Sequence, residues 1–303
     1  MFTLKPKTTA FMTALLLTIA SQAALAVEFT STRLSDTLTM LKGQGGNIAI
    51  SSGKDGVFII DDQLAPITEG LLEAIGKISD QPIRYVINTH YHGDHVGGNE
   101  TIGKAGAVIV THNNVYTRMN SEHFSTFMQT STPAYPTDAM PNITFSDEAT
   151  LHFNGEIATA YHIANAHTDG DALVHFPKSN VIHMGDLWFQ GLYPYIDLDA
   201  GGNIEGVING VNKALELANS ETKIIPGHGP LGSYAELKAY GEFLTEATQS
   251  VRQLIAEEKN LSEIIALKPT AKWDETLGKV WIKPDQFVTM IYNSLQGIQE
   301  YKQ

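Results

Sequence analysis

Three histidines and an aspartate fall within six residues of the run Thr89-His90-Tyr91-His92-Gly93-Asp94-His95-Val96-Gly97-Gly98-Asn99. No other feature constrains the chain so tightly. The run follows IRYVI at 83–87, a short apolar stretch that reads as a buried strand. In extended backbone, residues two apart point the same way, so His90 and His92 can reach one point together. Asp94 and His95 then sit in a glycine-flanked turn, where the chain can re-aim its side chains. Imidazole nitrogens and carboxylate oxygens are zinc ligands. The alternative is a solvated polar loop with chance histidines. The density of an uncommon residue, with an acid in its midst, argues against that.

Composition narrows what such a site can be. The 303 residues include no Cys, which removes disulfides, thiolate nucleophiles, iron–sulfur clusters and Cys-ligated zinc. A metal site here must use the eleven His and the carboxylates. At 43% hydrophobic and 17% charged residues, the chain has enough apolar content for a large core, so it is not disordered, collagenous or coiled coil throughout. A formal charge of −13 makes the chain a poor candidate for binding a nucleic-acid backbone, which calls for a basic face. The expected partner is a small-molecule substrate.

Residues 1–26 read as a secretory signal peptide. Lys5 and Lys7 form a positive start, FMTALLLTIA at 11–20 is an apolar run of signal length, and Ala24-Leu25-Ala26 fits a cleavage site. A spanning helix needs about 20 apolar residues, so a membrane anchor fits less well. The mature chain would begin at Val27, as a single domain over 27–303, exported to the periplasm or secreted.

Downstream, NIAIS (47–51) and VFII (57–60) read as strands joined by a hairpin at 52–56. A helix is expected over 66–78, and strands at 83–87, 107–110, 150–153, 158–163, 172–176, 181–184 and 223–225. Helices are expected over 204–217, 233–259 and 284–301. Residues 119–150 have no clear period and read as a covering segment. Interleaved strands and helices imply an α/β fold with mixed sheets packed face to face under outer helices.

Single ligand-type residues recur at later strand ends: His167 in AHTDGD, Asp186 in HMGD and His228 in PGHG. Each is weak alone. In this order after the HxHxDH run, they make the chain resemble the metallo-β-lactamase-fold hydrolases, from about Leu38 to about Gly232. The resemblance implies a four-layer αββα sandwich with two zinc ions at one edge. It implies that His90, His92 and His167 hold one ion, that Asp94, His95 and His228 hold the other, and that Asp186 bridges them. Iron or manganese also suits such a nitrogen and oxygen set. The implied chemistry is hydrolysis: paired metals lower the pKa of a water, and hydroxide attacks a carbonyl or phosphoryl centre. Asp94 is placed to orient that hydroxide. Asp61, Thr168 and Asp169 are candidates to steady the ligating imidazoles, with turn and strand-end roles equally open. His112, His123, His152, His162, His175 and His183 lie outside the motifs and read as structural.

Asp186 is also a departure. In the similar exported β-lactamases a Cys holds this position, and a Lys a few residues later receives the antibiotic carboxylate. Here Asp186 is followed by Leu187-Trp188-Phe189-Gln190. A bridging Asp is instead the pattern of glyoxalase II and related hydrolases. The expected activity is therefore zinc-dependent hydrolysis of an ester, thioester, lactone or amide. A β-lactamase and a metal-bound accessory protein without turnover are the alternatives. The aromatics of 188–195, and Phe124, Phe127, Met128 and Tyr135, are candidates for an apolar wall at the site mouth.

Overall fold

The computed structural model describes residues 28–302; the signal-peptide reading of 1–26 lies outside the described residues. The first half of the chain builds one sheet. It takes β1 (Thr30–Arg33), β2 (Leu38–Lys42), β3 (Ile48–Gly53), β4 (Gly56–Ile60), β5 (Ile83–Ile87) and β6 (Val108–His112). A small separate hairpin follows, β7 (His123–Ser125) with β8 (Thr130–Thr132), before β9 (Ile143–Phe145) closes the sheet edge. The strand order β1-β2-β3-β4-β5-β6-β9 is antiparallel as far as β4 and parallel beyond it. The second sheet runs β10 (Glu148–Phe153), β11 (Glu156–His162), β12 (Ala172–Phe176), β13 (Val181–His183), β14 (Lys223–Ile225) and β15 (Gly232–Ser233), in that order.

β4 shows why the sheets stack. All five of its residues are buried, so both of its faces must be covered. Phe58 and Ile60 point to the inter-sheet core, against Ala160, Val174 and Phe176 of the second sheet; the Phe58 and Phe176 rings stack at 5.9 Å. Val57 and Ile59 point the other way, with Leu71 and Ile75 of α1 (Thr68–Gly76). Such alternation follows from the two-residue period of a strand.

The chain then forms the short α2 (Gly93–Val96), α3 (Asn99–Lys104) and α4 (Asn113–Met119). The outer face of the second sheet carries α5 (Ile204–Leu217), α6 (Tyr234–Ala256) and, after α7 (Leu261–Leu267) and α8 (Ala271–Leu277), α9 (Pro284–Gln296). The layers are thus αββα, as expected. Helix α6 starts at a capping box in which Ser233 and Glu236 satisfy each other's backbone N–H groups. No helix among the described residues is long and apolar enough to cross a membrane.

Several boundaries differ from the sequence reading. The helix expected over 284–301 ends at Gln296, because Gly297 adopts a left-handed backbone (φ 67°). Helices α4, α7 and α8 were not foreseen. The unperiodic 119–150 segment contains the β7–β8 hairpin and β9, elements too short to leave a periodic signal.

Candidate metal centre

The strand ends of both sheets converge on one edge. β5 leads through Thr89 to His90 and His92, and α2 carries Asp94 and His95. β13 leads to Asp186, β14 to His228, and the turn between β11 and β12 carries His167. Nε2 of His90 and Nε2 of His167 lie 3.1 and 2.9 Å from Nδ1 of His92. Asp186 faces this trio with Oδ2, 3.5 Å from His167 Nε2 and 3.8 Å from His90 Nε2. Its other oxygen, Oδ1, lies 3.2 Å from His95 Nε2 and 3.4 Å from His228 Nε2. Asp94 Oδ2 completes this second group, 3.3 Å from His228 Nε2 and 3.6 Å from His95 Nε2. All seven sequence-predicted residues are therefore brought together, in two groups that meet at Asp186.

Two atoms indicate that the donor set suits a cation. His95 Nε2 and Asp186 Oδ1 are buried and, though 3.2 Å apart, make no well-aligned hydrogen bond to each other or to any other group. Buried polar atoms normally find one, and an ion would satisfy both.

The donor set is electrostatically mixed: burial opposes charge on His92, but its bond to Asp197 outweighs it and raises the ring above its usual range. Burial, with neighbouring imidazoles, holds His90 well below its usual range and takes His167 down to about 4, so both are neutral and ligand-ready. Burial opposes charge on His228 too, but Asp186 and Asp94 outweigh it and push its pKa up to about 9. Burial would raise Asp94, yet His95 and His228 bring it down to about 2. The carboxylates of the second group thus demand positive charge beside them.

The remaining ring nitrogens are anchored. Asp61 is buried with a left-handed backbone (φ 64°), unusual for a residue with a side chain. Its Oδ2 lies 2.7 Å from His95 Nδ1, and it accepts from the backbone N–H and hydroxyl of Thr89. Thr89 Oγ1 in turn lies 3.0 Å from His90 Nδ1. Thr168 and Asp169 do not touch the ligand-type imidazoles through their side chains: Thr168 donates to Asp171, and Asp169 forms a two-bond pair with Arg118. Their positions in the motif reflect turn construction. Sequence reasoning missed Asp197, whose Oδ2 lies 2.9 Å from His92 Nε2 and accepts from Tyr91 at 2.7 Å. It also missed the Tyr195 carbonyl, 2.8 Å from His167 Nδ1. Neither carries a local signal, because both reach the site from a loop without regular spacing.

Backbone packs tightly on this cluster. A Cβ on Gly227 would stand 2.0 Å from Asp186 Oδ1, and one on Gly46 would stand 2.2 Å from His95 Cε1. Only glycine fits at either place.

A cavity of about 520 Å³ opens over His92, Asp94, Asp186 and His228. Its apolar wall differs from the one expected. Trp188, Phe189 and Tyr193 are buried in the core beneath the site, where Phe189 stacks on His228 at 5.2 Å. Leu192, Tyr195 and the expected Met128 do line the cavity; Leu64 and Trp281 join them from distant segments. Phe127 packs on Tyr195 and Tyr301 instead. His123, read as structural, lines the cavity from the β7–β8 hairpin. His112 and His162 stack on each other at 3.6 Å, and His183 bonds the Asn47 carbonyl, in keeping with structural roles.

The family model of the metallo-beta-lactamase superfamily matches residues 47–233, more than half of the chain. The chain belongs to the metallo-beta-lactamase superfamily. Among solved structures, a metallo-beta-lactamase from Pontibacter korlensis is similar at 20% identity and a TM-score of 0.60, covering 72% of this chain and 99% of that one. The DIM-1 metallo-beta-lactamase is similar at 19% identity and a TM-score of 0.57, covering 73% and 99%. The sec-alkylsulfatase Pisa1 from Pseudomonas sp. covers more of this chain, 88%, at 16% identity and a TM-score of 0.65; half of its own length is matched. At these identities the neighbours speak for the fold alone. The superfamily is one of hydrolases for the most part, and the His and Asp cluster lies inside the matched residues.

Proposed function

We propose that this chain is an exported dinuclear metallo-hydrolase that cleaves an ester, thioester, lactone or amide bond. The observation that carries the reading is the pair of ligand groups sharing Asp186, with two buried atoms left without a well-aligned hydrogen bond. His90, His92 and His167 would hold one zinc ion, Asp94, His95 and His228 the other, with one Asp186 oxygen on each. Bound there, the ions would make water nucleophilic near neutral pH and polarise the carbonyl. The protein's own part is orientation. Asp61, Thr89, Asp197 and the Tyr195 carbonyl fix the far sides of four imidazoles, so the near nitrogens need not reorganise. Asp94 has a side chain 28% exposed to the cavity, whereas Asp186 is 4% exposed. Asp94 is therefore the carboxylate that can orient a water in the cavity. No Ser or Cys nucleophile is required.

The test is one sample assayed twice. Elemental analysis gives metal content, and a panel of ester, lactone, thioester, phosphodiester and β-lactam substrates gives activity. Turnover of a carboxylic substrate, lost with chelator and restored by zinc, supports the reading. A fully loaded protein silent on the whole panel would favour a metal-bound accessory role.

A further inference from the structure

We propose that the substrate is an uncharged carboxylic ester whose acyl arm is apolar and several carbons long, lying along the wall formed by Leu64, Met128, Leu192, Tyr195 and Trp281. This inference rests on the hydrolase reading above and adds the chemical class.

Three observations carry it. First, the apolar wall is continuous with the ligand groups: the same cavity touches His92, Asp94, Asp186 and His228. A carbonyl at those groups would place its acyl arm against the wall. At about 520 Å³ the cavity has the size of a small-molecule site, too large for a two-carbon acyl group alone. Second, no Lys or Arg is among the cavity's lining residues. The polar groups beside the wall, Gln44, Ser125, Thr130 and Thr132, are neutral. An anionic group lying along the wall would give up water with no Lys or Arg beside it to pair it, which is costly. Third, the nearby cation is committed elsewhere. Arg118 makes two 2.7 Å bonds to Asp169 and sits over the Tyr91 ring at 5.7 Å. It lines an adjoining small pocket, which shares Tyr91, His123, Ser125 and Asp197 with the cavity, and is not itself among the cavity's lining residues.

Two wall residues stand open at the mouth. Met128 is 43% exposed and Trp281 37% exposed, the first on the β7–β8 hairpin and the second between α8 and α9. Large apolar side chains at a cavity rim lose water when an acyl arm lies on them. Each methylene fully removed from water is worth up to roughly fourfold in binding.

The experiment compares 4-nitrophenyl acetate, butyrate and octanoate with the mono-4-nitrophenyl ester of octanedioic acid. The last matches octanoate in length but ends in a carboxylate. The zinc-loaded wild type is expected to show kcat/KM for octanoate at least about tenfold above acetate and above the charged ester, mainly through KM. Trp281→Ala is expected to lower octanoate severalfold more than acetate. Met128→Lys is expected to narrow the gap between octanoate and the charged ester. Turnover with equal rates for acetate and octanoate, or for octanoate and the charged ester, overturns the class while leaving the hydrolase reading intact. No turnover of any ester by fully loaded protein overturns the ester class, while silence on the wider panel as well overturns the hydrolase reading. Calorimetric titration then decides the cavity's preference. Tighter binding of octanamide than of its ω-carboxylate analogue, weakened in Trp281→Ala, supports an uncharged apolar ligand. Equal binding of the two overturns it.

Discussion

Gly46→Ala tests how tightly the backbone is fitted to the site. The added Cβ would meet His95 Cε1 at 2.2 Å, Nε2 at 2.5 Å and Nδ1 at 2.7 Å, against an ordinary contact of at least 3.4 Å. One side must move by more than an ångström. Neither is free. His95 is held by Asp61 Oδ2 at 2.7 Å, and its ring is fully buried. The loop is held by Gly46 N–H to the Asp94 carbonyl at 3.1 Å, Asn47 N–H to the Gly227 carbonyl at 2.7 Å, and the Gln63 amide on the Gly46 carbonyl. Overpacking of this kind costs about 1–3 kcal/mol. For a protein of this size that is a Tm lower by about 2–6 °C. A displaced His95 also spoils the group it shares with Asp94 and His228, and a metal-ligand support lost in this way typically costs roughly 10–100-fold in affinity. The assay is competition with a fluorescent zinc chelator, alongside thermal melts of metal-free protein. Only the weaker or the stronger of two binding steps should change, because His90, His92 and His167 do not touch Gly46. Gly76→Ala is the control: a Cβ there meets nothing within 4 Å, and the change should be neutral or stabilising by up to about 1 kcal/mol. A Gly46→Ala protein with wild-type Tm and both affinities intact would refute the reasoning.

Other outcomes follow from the same structure. Asp197→Ala removes the partner of His92 Nε2 and should weaken metal binding by about 10–100-fold, while Asp197→Asn should retain part of it; zinc competition measures both. Burial, together with the stacked His162, lowers His112 from the ordinary 6.5 to about 4. The unfolded chain therefore binds this proton first, so the stability that neutral His112 contributes is complete above pH 6.5 and is lost as pH falls toward 4. His112 also caps α4 by accepting from Asn114 N–H, and Asn can keep that cap. His112→Asn should thus flatten the pH dependence of urea unfolding between 4 and 6.5; an unchanged slope would remove His112 as its source. Mass spectrometry of the envelope fraction should find an N-terminus at or near Val27, and a full-length cytosolic species as the main form would contradict export.

Much of the site was legible because it is local. His90, His92, Asp94 and His95 are bound to one strand end and one turn, so their spacing carries the chemistry. His167, Asp186 and His228 each lie in the segment that follows a strand of the second sheet, and their order along the chain matches a known arrangement. The supports were legible only in part. Asp61 ends β4 and was singled out, whereas Asp197 and the Tyr195 carbonyl come from an irregular loop that no period describes. The apolar wall was legible only in part, for a related reason. Aromatic residues near Asp186 in sequence were expected to face the substrate, but β13 and the turn after it carry Trp188 and Tyr193 into the core under α6 and α9. The expected Met128 and Tyr195 do line the wall, with Leu192, and Leu64 and Trp281 join them from segments that only the tertiary fold brings together. The short α7 and α8, which position Trp281, have too few turns to mark themselves by hydrophobic spacing.

The central claim is a pair of metals joined by Asp186, and crystallography of zinc-loaded protein with anomalous scattering at the zinc edge tests it most directly. The account predicts two peaks about 3.5–4 Å apart, with one Asp186 oxygen on each. It further predicts that His90→Ala loses the peak beside His92 and His167, and that His228→Ala loses the one beside Asp94 and His95. A single peak in the wild type, or an Asp186 carboxylate bound wholly to one ion, would contradict it.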